Sequence, residues 1–460
     1  MSVRWLALIT VCLCMHVRAA AQDEPALPAP VAEPAAESGD APVSLSVAAE
    51  PEAQTPDTTD LTEAELENLG LSAEGGETSA VDTTTRINGF VDFGMYNVLT
   101  KAWRKALQPH PSFFIGNFNV YISKALSDTV RMFAEVRFTY LPNGVADVNT
   151  NLVTSTSVAD YTNFSAELKW GGIEIERVYL EWSITPWLAL RAGQFLTPYG
   201  IWNVDHGSPT IISVIQPVVI ARQLFPERQT GLELRGQLAL SAQSSIGYHL
   251  TLSNGLGPAS DYVDLDDNKA VGARVWWLYE GYGQLTLGGS GFIGTDADTQ
   301  MLIGLGSDEH LKYTERVNAK STVLSLAADV QWRLDGLLLQ AEFASRQTVY
   351  TKDGRPALTH PLTGVRAGLP DAFDYGYYFL AGYRFEWLGV MPYVVAHFVE
   401  YLERRLLLRP KTYVFEAGLN IRPMDSVVFK IQYQGSYWPD GFVVADYPFH
   451  SIYLQLAWAF

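Results

Sequence analysis

Residues 451–460, the last ten of the chain, read SIYLQLAWAF and alternate strictly between two kinds of side chain. Apolar residues share one face of this extended segment and small or polar residues share the other: Ile452, Leu454, Leu456, Trp458 and Phe460 against Ser451, Tyr453, Gln455, Ala457 and Ala459. The closing strand of an outer-membrane barrel needs one face for lipid and one for the lumen. The ending therefore predicts a barrel, and Phe460 and Trp458 resemble the recognition signal that the barrel-assembly machinery reads. The alternative is the last strand of a soluble β-domain.

The same alternation recurs from Arg86 onward in segments of about ten residues, separated by turn residues. We predict an all-β fold, a transmembrane antiparallel β-barrel of about 16 strands. The predicted strands begin near Ile87, Phe113, Thr129, Ile173, Leu188, Thr230, Ser245, Ala270, Gln284, Thr322, Leu337, Asp374, Pro392, Thr412, Val427 and Ser451.

The predicted connections alternate between long and short, as the external loops and periplasmic turns of outer-membrane barrels do. The long ones are 100–111, 142–172, 197–228, 255–269, 294–321, 348–373, 402–411 and 438–450, and the short ones are 125–128, 185–186, 241–244, 280–283, 334–336, 386–390 and 423–426. Aromatic residues flank the short turns, which is typical of a membrane-interface girdle: Trp182, Trp187, Tyr279, Tyr282, Trp332 and Trp387. The strands of a soluble sandwich would also alternate between apolar and polar side chains. Its connections, however, would not alternate regularly between long and short. Sixteen strands leave room for a water-filled channel.

The N-terminal part of the chain has a different composition from the predicted barrel. Residues 1–21 resemble a secretory signal, with Arg4, an apolar core and small residues before the cleavage point. Both cysteines, Cys12 and Cys14, lie inside it, so we expect a mature chain without disulfides. Residues 22–85 hold fifteen Asp and Glu and no Lys or Arg. They predict a disordered, acidic, Pro- and Ala-rich periplasmic arm before the barrel of residues 86–460.

Within the arm, residues 60–70 are open to two interpretations, a transient turn or a docking motif for a periplasmic partner. The arm also accounts for most of the net charge of −18. A nearly neutral barrel and an acidic arm give no electrostatic support for nucleic-acid binding.

The third long connection, residues 197–228, is the most apolar of the loops. It follows GQFLTPYG at 193–200 and contains IISVI at 211–215. We predict that it folds into the barrel and narrows the pore; packing against a neighbouring subunit is the alternative. Asp205 and His206 are its candidates for a polar contact with solute, although a hydrogen bond that fixes the loop would use the same residue types.

Charged residues on consecutive strands are predicted to face the lumen beneath this loop. The basic ones are Arg131, Arg137, Arg177, Arg191 and Arg235, and the acidic ones among them are Glu135, Glu181 and Glu233. Fixed charge on a pore wall sets ion preference, but the same residues could form a salt-bridged brace. Basic and acidic residues are nearly balanced around the lumen, so the pattern predicts at most a mild anion preference.

Metal sites and catalysis have little support in the sequence. Asp261, Asp264, Asp266 and Asp267 lack the spacing of an EF-hand, which favours a solvated acidic loop over a Ca²⁺ site. The histidines lack the close spacing of a zinc site. We therefore expect no catalytic residues, no metal and no cofactor.

Two stretches resemble the phosphate-selective porin O and P family. One is GQFLTPYG at 193–200, and the other runs from TGLELRG at 230–236 through LSNGLG at 252–257 to DLDDNKAVGARVWW at 264–277. The resemblance covers the predicted barrel loosely and leaves out the arm. It implies a sixteen-stranded barrel, usually trimeric, that passes small anions. The family's phosphate-selective members have lysine- and arginine-rich pore ladders, whereas this lumen interleaves arginines with acids.

Three functions remain open at this point. The first is an outer-membrane porin for diffusion of small hydrophilic solutes, with lipid, the barrel-assembly machinery and further copies in a homotrimer as its partners. The second is a plugged barrel that binds a partner protein through its arm or external loops. The third is a channel dedicated to one nutrient.

Overall fold

Sixteen antiparallel strands close into one barrel in the computed structural model of the chain, as the alternating pattern predicts. The structure describes residues 84–101, 111–140, 144–147, 152–155, 170–203, 207–255, 268–305, 311–359, 364, 366–402, 409–439 and 448–460. The barrel strands are β1 (Arg86–Val98), β2 (Ser112–Ala125), β3 (Val130–Tyr140), β6 (Trp170–Thr185), β7 (Leu188–Leu196), β8 (Arg228–Ser241), β9 (Ser244–Ser253), β10 (Ala270–Gly281), β11 (Gly283–Leu305), β12 (Leu311–Leu334), β13 (Leu337–Tyr350), β16 (Ala372–Tyr383), β17 (Met391–Glu400), β18 (Lys411–Met424), β19 (Val427–Tyr437) and β20 (Phe449–Ala459).

The C-terminal strand closes the barrel by pairing with the first strand. β20 runs antiparallel to β1, with Phe90 opposite Ala459 and Val98 opposite Ser451. Beyond the end of β20, Phe460 and Gly89 exchange backbone hydrogen bonds of 2.9 Å in both directions. Closure gives every strand two neighbours, so no row of backbone N–H and C=O groups is left facing hydrocarbon.

The strands divide their side chains between the two faces of the barrel wall. On β12, Leu324 and Leu326 are exposed, whereas Ser325 and Asp329 on the opposite face are buried. Large aromatic side chains are exposed beside the short turns, as at Trp187 and Trp387. An apolar outer face and a polar inner face are what a wall between lipid and a lumen requires.

The predicted bounds of the long connection 294–321 are wrong. β11 and β12 continue past their neighbours as a two-stranded ribbon, paired from Asp296–Ser321 out to Leu305–Leu311. Both arms contain β-branched and aromatic residues such as Ile303 and Tyr313, which favour extended backbone.

Smaller elements occupy three other long connections. β4 (Gly144–Asp147) pairs with β5 (Leu152–Ser155), and β14 (Ala357–Thr359) pairs with β15 (Arg366–Gly368). The third loop holds a single helical turn, α1 (Val218–Ala221), and a 3₁₀ turn at Trp387–Gly389 forms part of one short connection. No helix among the described residues is long and apolar enough to cross a membrane.

Some of the sequence predictions fall outside the described residues. The signal, the arm up to residue 83 and the acidic loop with Asp261, Asp264, Asp266 and Asp267 are among them. These predictions stay as they were made.

Candidate functional site

The third loop leaves the wall after Leu196 and enters the barrel. At its start, the Thr197 hydroxyl donates a 2.5 Å hydrogen bond to the Pro226 carbonyl near the loop's end, which joins the two arms of the loop. Tyr199 is buried, and its hydroxyl lies 2.7 Å from Thr251 Oγ1 on the inner face of β9. Burial raises the pKa of the Tyr199 phenol, so the hydroxyl stays protonated. The loop therefore begins fixed to both its own end and the wall.

Gly200 shows why the entry of the loop needs glycine. Its φ of +73° lies in the left-handed region, and a Cβ at this position would overlap the Glu342 carboxylate. The next backbone N–H, from Ile201, donates to Glu342 Oε2 at 3.0 Å. Arg274 donates to the Gly200 carbonyl and also binds Asp329 Oδ1 at 2.8 Å. The last glycine of GQFLTPYG thus lets the backbone approach charged side chains of β10 and β13 closely.

The apolar middle of the loop crosses to the far side of the lumen. The buried Lys430 ammonium donates 2.7 Å hydrogen bonds to the carbonyls of Ser208 and Ile211. Asn420 donates to the Ile212 carbonyl at 2.9 Å, and Val214 donates its backbone N–H to Gln432 at 2.6 Å. Polar side chains of β18 and β19 therefore satisfy the loop's backbone groups, which would otherwise be buried without partners.

The end of the loop is fixed by β12, β13 and β17. The Val218 N–H at the start of α1 donates to His397 Nδ1 at 3.2 Å. The Ser325 hydroxyl donates to the Leu224 carbonyl at 2.5 Å, and Arg346 donates to the Gln223 carbonyl at 3.3 Å. Of the two predicted locations for the loop, the structure has the one inside the barrel.

The predicted charged residues come together on β3, β6, β7 and β8, where we name them the arginine–glutamate wall. Their ion pairs join these strands: Arg131–Glu181 at 3.3 Å, Arg177–Glu135 at 2.5 Å, Arg191–Glu181 and Arg191–Glu233 at 2.8 Å, and Arg235–Glu181 at 3.4 Å. The last pair reaches across β7, which lies between β6 and β8. Glu233 also lies 2.5 Å from His249 Nδ1 on β9. The structure therefore contains the salt-bridged brace, which was one of the two interpretations of these residues.

Glu176 and Arg228 belong to the same wall but were missed in the sequence analysis. Arg137 and Arg228 bind the two oxygens of Glu176 at 3.2 and 2.5 Å. A β-bulge in β6 shifts the register between Arg177 and Ile175, which breaks simple alternation. The sequence holds a signal for it, because the apolar positions of β6 change from odd numbers to even ones.

The acids and bases of the wall differ in their exposure. The side chains of Glu135, Glu176, Glu181 and Glu233 are 0–5% exposed, whereas those of the six arginines range from 10% to 36%. The carboxylates are thus covered by the guanidinium groups that they bind. A wall of six arginines and four glutamates therefore presents mainly cationic groups.

A layer of aromatic rings supports the guanidinium groups from beneath. Tyr121, Phe133 and Tyr179 follow one another across β2, β3 and β6 with ring centroids 5.9 and 5.4 Å apart. Arg177 lies 4.9 Å from the Phe133 ring centroid and Arg191 lies 4.0 Å from that of Tyr179. Contacts between a guanidinium group and an aromatic face are favourable, so the arginines are held by rings as well as by carboxylates.

Two of the predicted pore residues lie outside the described ranges. Asp205 and His206 lie in the gap between the described residues 203 and 207. Within the described ranges, no group of three or more His, Cys, Asp or Glu could hold a metal ion.

Comparison with known proteins gives a fold but no sequence family. No family model and no curated protein matches the chain. In-vitro folded OmpT, an outer membrane protein of Vibrio cholerae, is 8% identical and aligns with a TM-score of 0.50 over 84% of this chain and 100% of its own. Its trimer form is 9% identical and aligns with a TM-score of 0.50 over 82% and 99%. The chain therefore has the fold of an outer-membrane β-barrel.

Proposed function

We propose that the protein is an outer-membrane porin through which small hydrophilic solutes diffuse, with a mild preference for anions. The observation that supports this proposal is the partial exposure of the arginine side chains in the arginine–glutamate wall. Guanidinium groups that are partly exposed inside a closed barrel face water, and their positive charge raises the local concentration of anions. The pore-lining residues in this proposal are Arg131, Arg137, Arg177, Arg191, Arg228 and Arg235, with their carboxylates as partners.

Conductance of the purified protein in a planar bilayer tests the proposal. We expect steps of current in KCl and, under a salt gradient, a reversal potential whose sign indicates chloride over potassium by roughly two- to fivefold. A bilayer that stays closed after insertion would favour the plugged barrel, because the third loop binds a large part of the inner wall. Cation selectivity would contradict the assignment of the arginines.

The proposal also includes more specific predictions from the sequence. They comprise membership of the phosphate-selective porin O and P family, a homotrimer, a cleaved signal, a periplasmic arm, a terminal assembly signal and the absence of catalysis. The interleaved carboxylates argue against phosphate as the preferred solute, since they lower the positive charge that a divalent anion needs. Removing Phe460 tests the assembly signal: we expect the amount of folded protein in the outer membrane to fall severalfold.

A further inference from the structure

A pocket opens between the two arms of the third loop, above β13. Residues from the start of the loop, from its end and from the wall line it, among them Trp202, Gln216, Ile220, Phe225, Glu227 and Glu342. Its volume is about 40 Å³. Because a water molecule needs roughly 10–15 Å³, the pocket has room for about three waters or for an aliphatic group of similar size.

The two carboxylates of the pocket differ in their availability. Glu342 is buried at the floor and already accepts hydrogen bonds from the Ile201 N–H and, at 3.3 Å, from the Tyr378 hydroxyl. Glu227 stands at the rim with 36% of its side chain exposed, and Gln223 donates to it at 3.3 Å. No Lys, Arg or His is among the lining residues. A cationic group entering the pocket would therefore meet Glu227.

A guanidinium group lies immediately outside the same rim. Arg228 Nη2 is 3.7 Å from Glu227 Oε1, and 23% of the Arg228 side chain is exposed. Its Nε binds Glu176, which holds the group in the arginine–glutamate wall. The long separation between Nη2 and Oε1 is that of a weak, partly solvated pair. Both partners can therefore bind a charged group from outside.

Apolar side chains complete the pocket beside these opposite charges. Phe225 packs against Tyr199 with ring centroids 5.0 Å apart, and Trp202 and Ile220 line the same space. Phe225 and Ile220 are only partly buried. An apolar group of the size of a single amino-acid side chain would cover them.

We propose that this pocket is a docking subsite for small zwitterions with an apolar side chain, the chemistry of neutral α-amino acids. The ammonium group of the solute binds Glu227, its carboxylate binds Arg228, and its side chain enters between Trp202 and Phe225. The inference rests on the proposed function in that the solute reaches the pocket through an open lumen. The binding of an amino acid is nevertheless separate from the passage of salt.

Block of the KCl current by four solutes tests the subsite in the full-length protein. L-Valine carries all three groups, glycine lacks the apolar side chain, 3-methylbutyrate lacks the ammonium, and isobutylamine lacks the carboxylate. We expect valine to interrupt the current at concentrations at least about tenfold lower than the other three. Glu227→Gln should remove this advantage, while Asp371→Asn, the same change on an external loop, should retain it.

The pattern of block decides between the alternatives. Equal block by isobutylamine would reduce the pocket to a site for organic cations, and equal block by glycine would show that the apolar groups are unused. Either result overturns the subsite. Failure of all four solutes to block an otherwise normal KCl current overturns it too, and leaves the porin intact. Absence of KCl current would instead contradict the proposed function.

Discussion

Charged and amide side chains line two parts of the inner wall, one on β3, β6, β7 and β8 and the other on β17, β18 and β19. The side chains of these two parts bind different partners. On the arginine–glutamate wall, side chains bind side chains across neighbouring strands, as Arg191 binds Glu181 and Glu233. On the other side, side chains bind the backbone of the third loop, as Lys430 binds the carbonyls of Ser208 and Ile211. We name this second surface the loop-binding wall; it comprises His397, Asn420, Lys430 and Gln432.

This difference separates two properties of the proposed pore. The loop-binding wall uses its polar groups to hold the loop and so limits the width of the lumen. The arginine–glutamate wall satisfies its acids internally and leaves guanidinium groups facing water. Width and charge preference are thus carried by different surfaces, and substitutions should change one without the other.

The largest effect should follow from removing the carboxylate that joins three arginines. Glu181 binds Arg131, Arg191 and Arg235. Glu181→Gln leaves these arginines without their shared partner. Since breaking a buried ion pair costs about 3–5 kcal/mol, we expect roughly 3 kcal/mol lower stability. The shift of the folded band on unboiled gels, followed against urea concentration, measures this. Glu386→Gln, in an exposed short turn, is the matched control; an equal loss in both variants would contradict the role of Glu181 in the wall.

The strands of the wall could be predicted from the sequence, because lipid and lumen impose a period of two on every strand. The bulge at Glu176 could have been found from the shift in apolar positions. The partners of the third loop could not, because Lys430 and the Ser208 carbonyl are 222 residues apart. Nothing local in the sequence encodes which wall an inserted loop will meet. The extra pairing of β11 and β12 was missed because mixed polar and β-branched residues there resemble an ordinary loop.

A smaller effect should follow from neutralising two exposed arginines of the wall together. In Arg131→Gln combined with Arg235→Gln, Arg191 still pairs with Glu181, so we expect the barrel to fold. The ratio of chloride to potassium permeability should fall by about twofold, because guanidinium charge is lost and the carboxylate becomes accessible. Reversal potentials under a KCl gradient measure the ratio. Arg355→Gln, on the long loop after β13, should leave the ratio unchanged; a similar fall there would show that the lumen does not set the preference.

Releasing the loop should change width rather than charge preference. Lys430→Met removes two hydrogen bonds from a buried ammonium to loop carbonyls, each worth roughly 1.5–3 kcal/mol. We expect the middle of the loop to leave the loop-binding wall part of the time, so that mean conductance changes by about twofold and current noise increases. Lys411→Met, at the outer end of β18, serves as the control. A changed reversal potential with unchanged conductance would contradict the division between the two walls.

The smallest effect concerns an ion pair outside the lumen. Asp371 accepts hydrogen bonds from the Tyr350 N–H at 3.0 Å and from Arg355 at 2.7 Å, and these hold the pKa of its carboxyl below the usual range. A depressed folded-state pKa gives stability that is present above the unfolded pKa and is lost as pH falls through the folded one. Because Asp371 is exposed to water, the gain is small and is screened by salt. Asp371→Asn should raise protease sensitivity of the 350–371 loop slightly at pH 7 and leave it unchanged near pH 2. An equal effect at both pH values would show that the carboxylate is not the group that orders this loop.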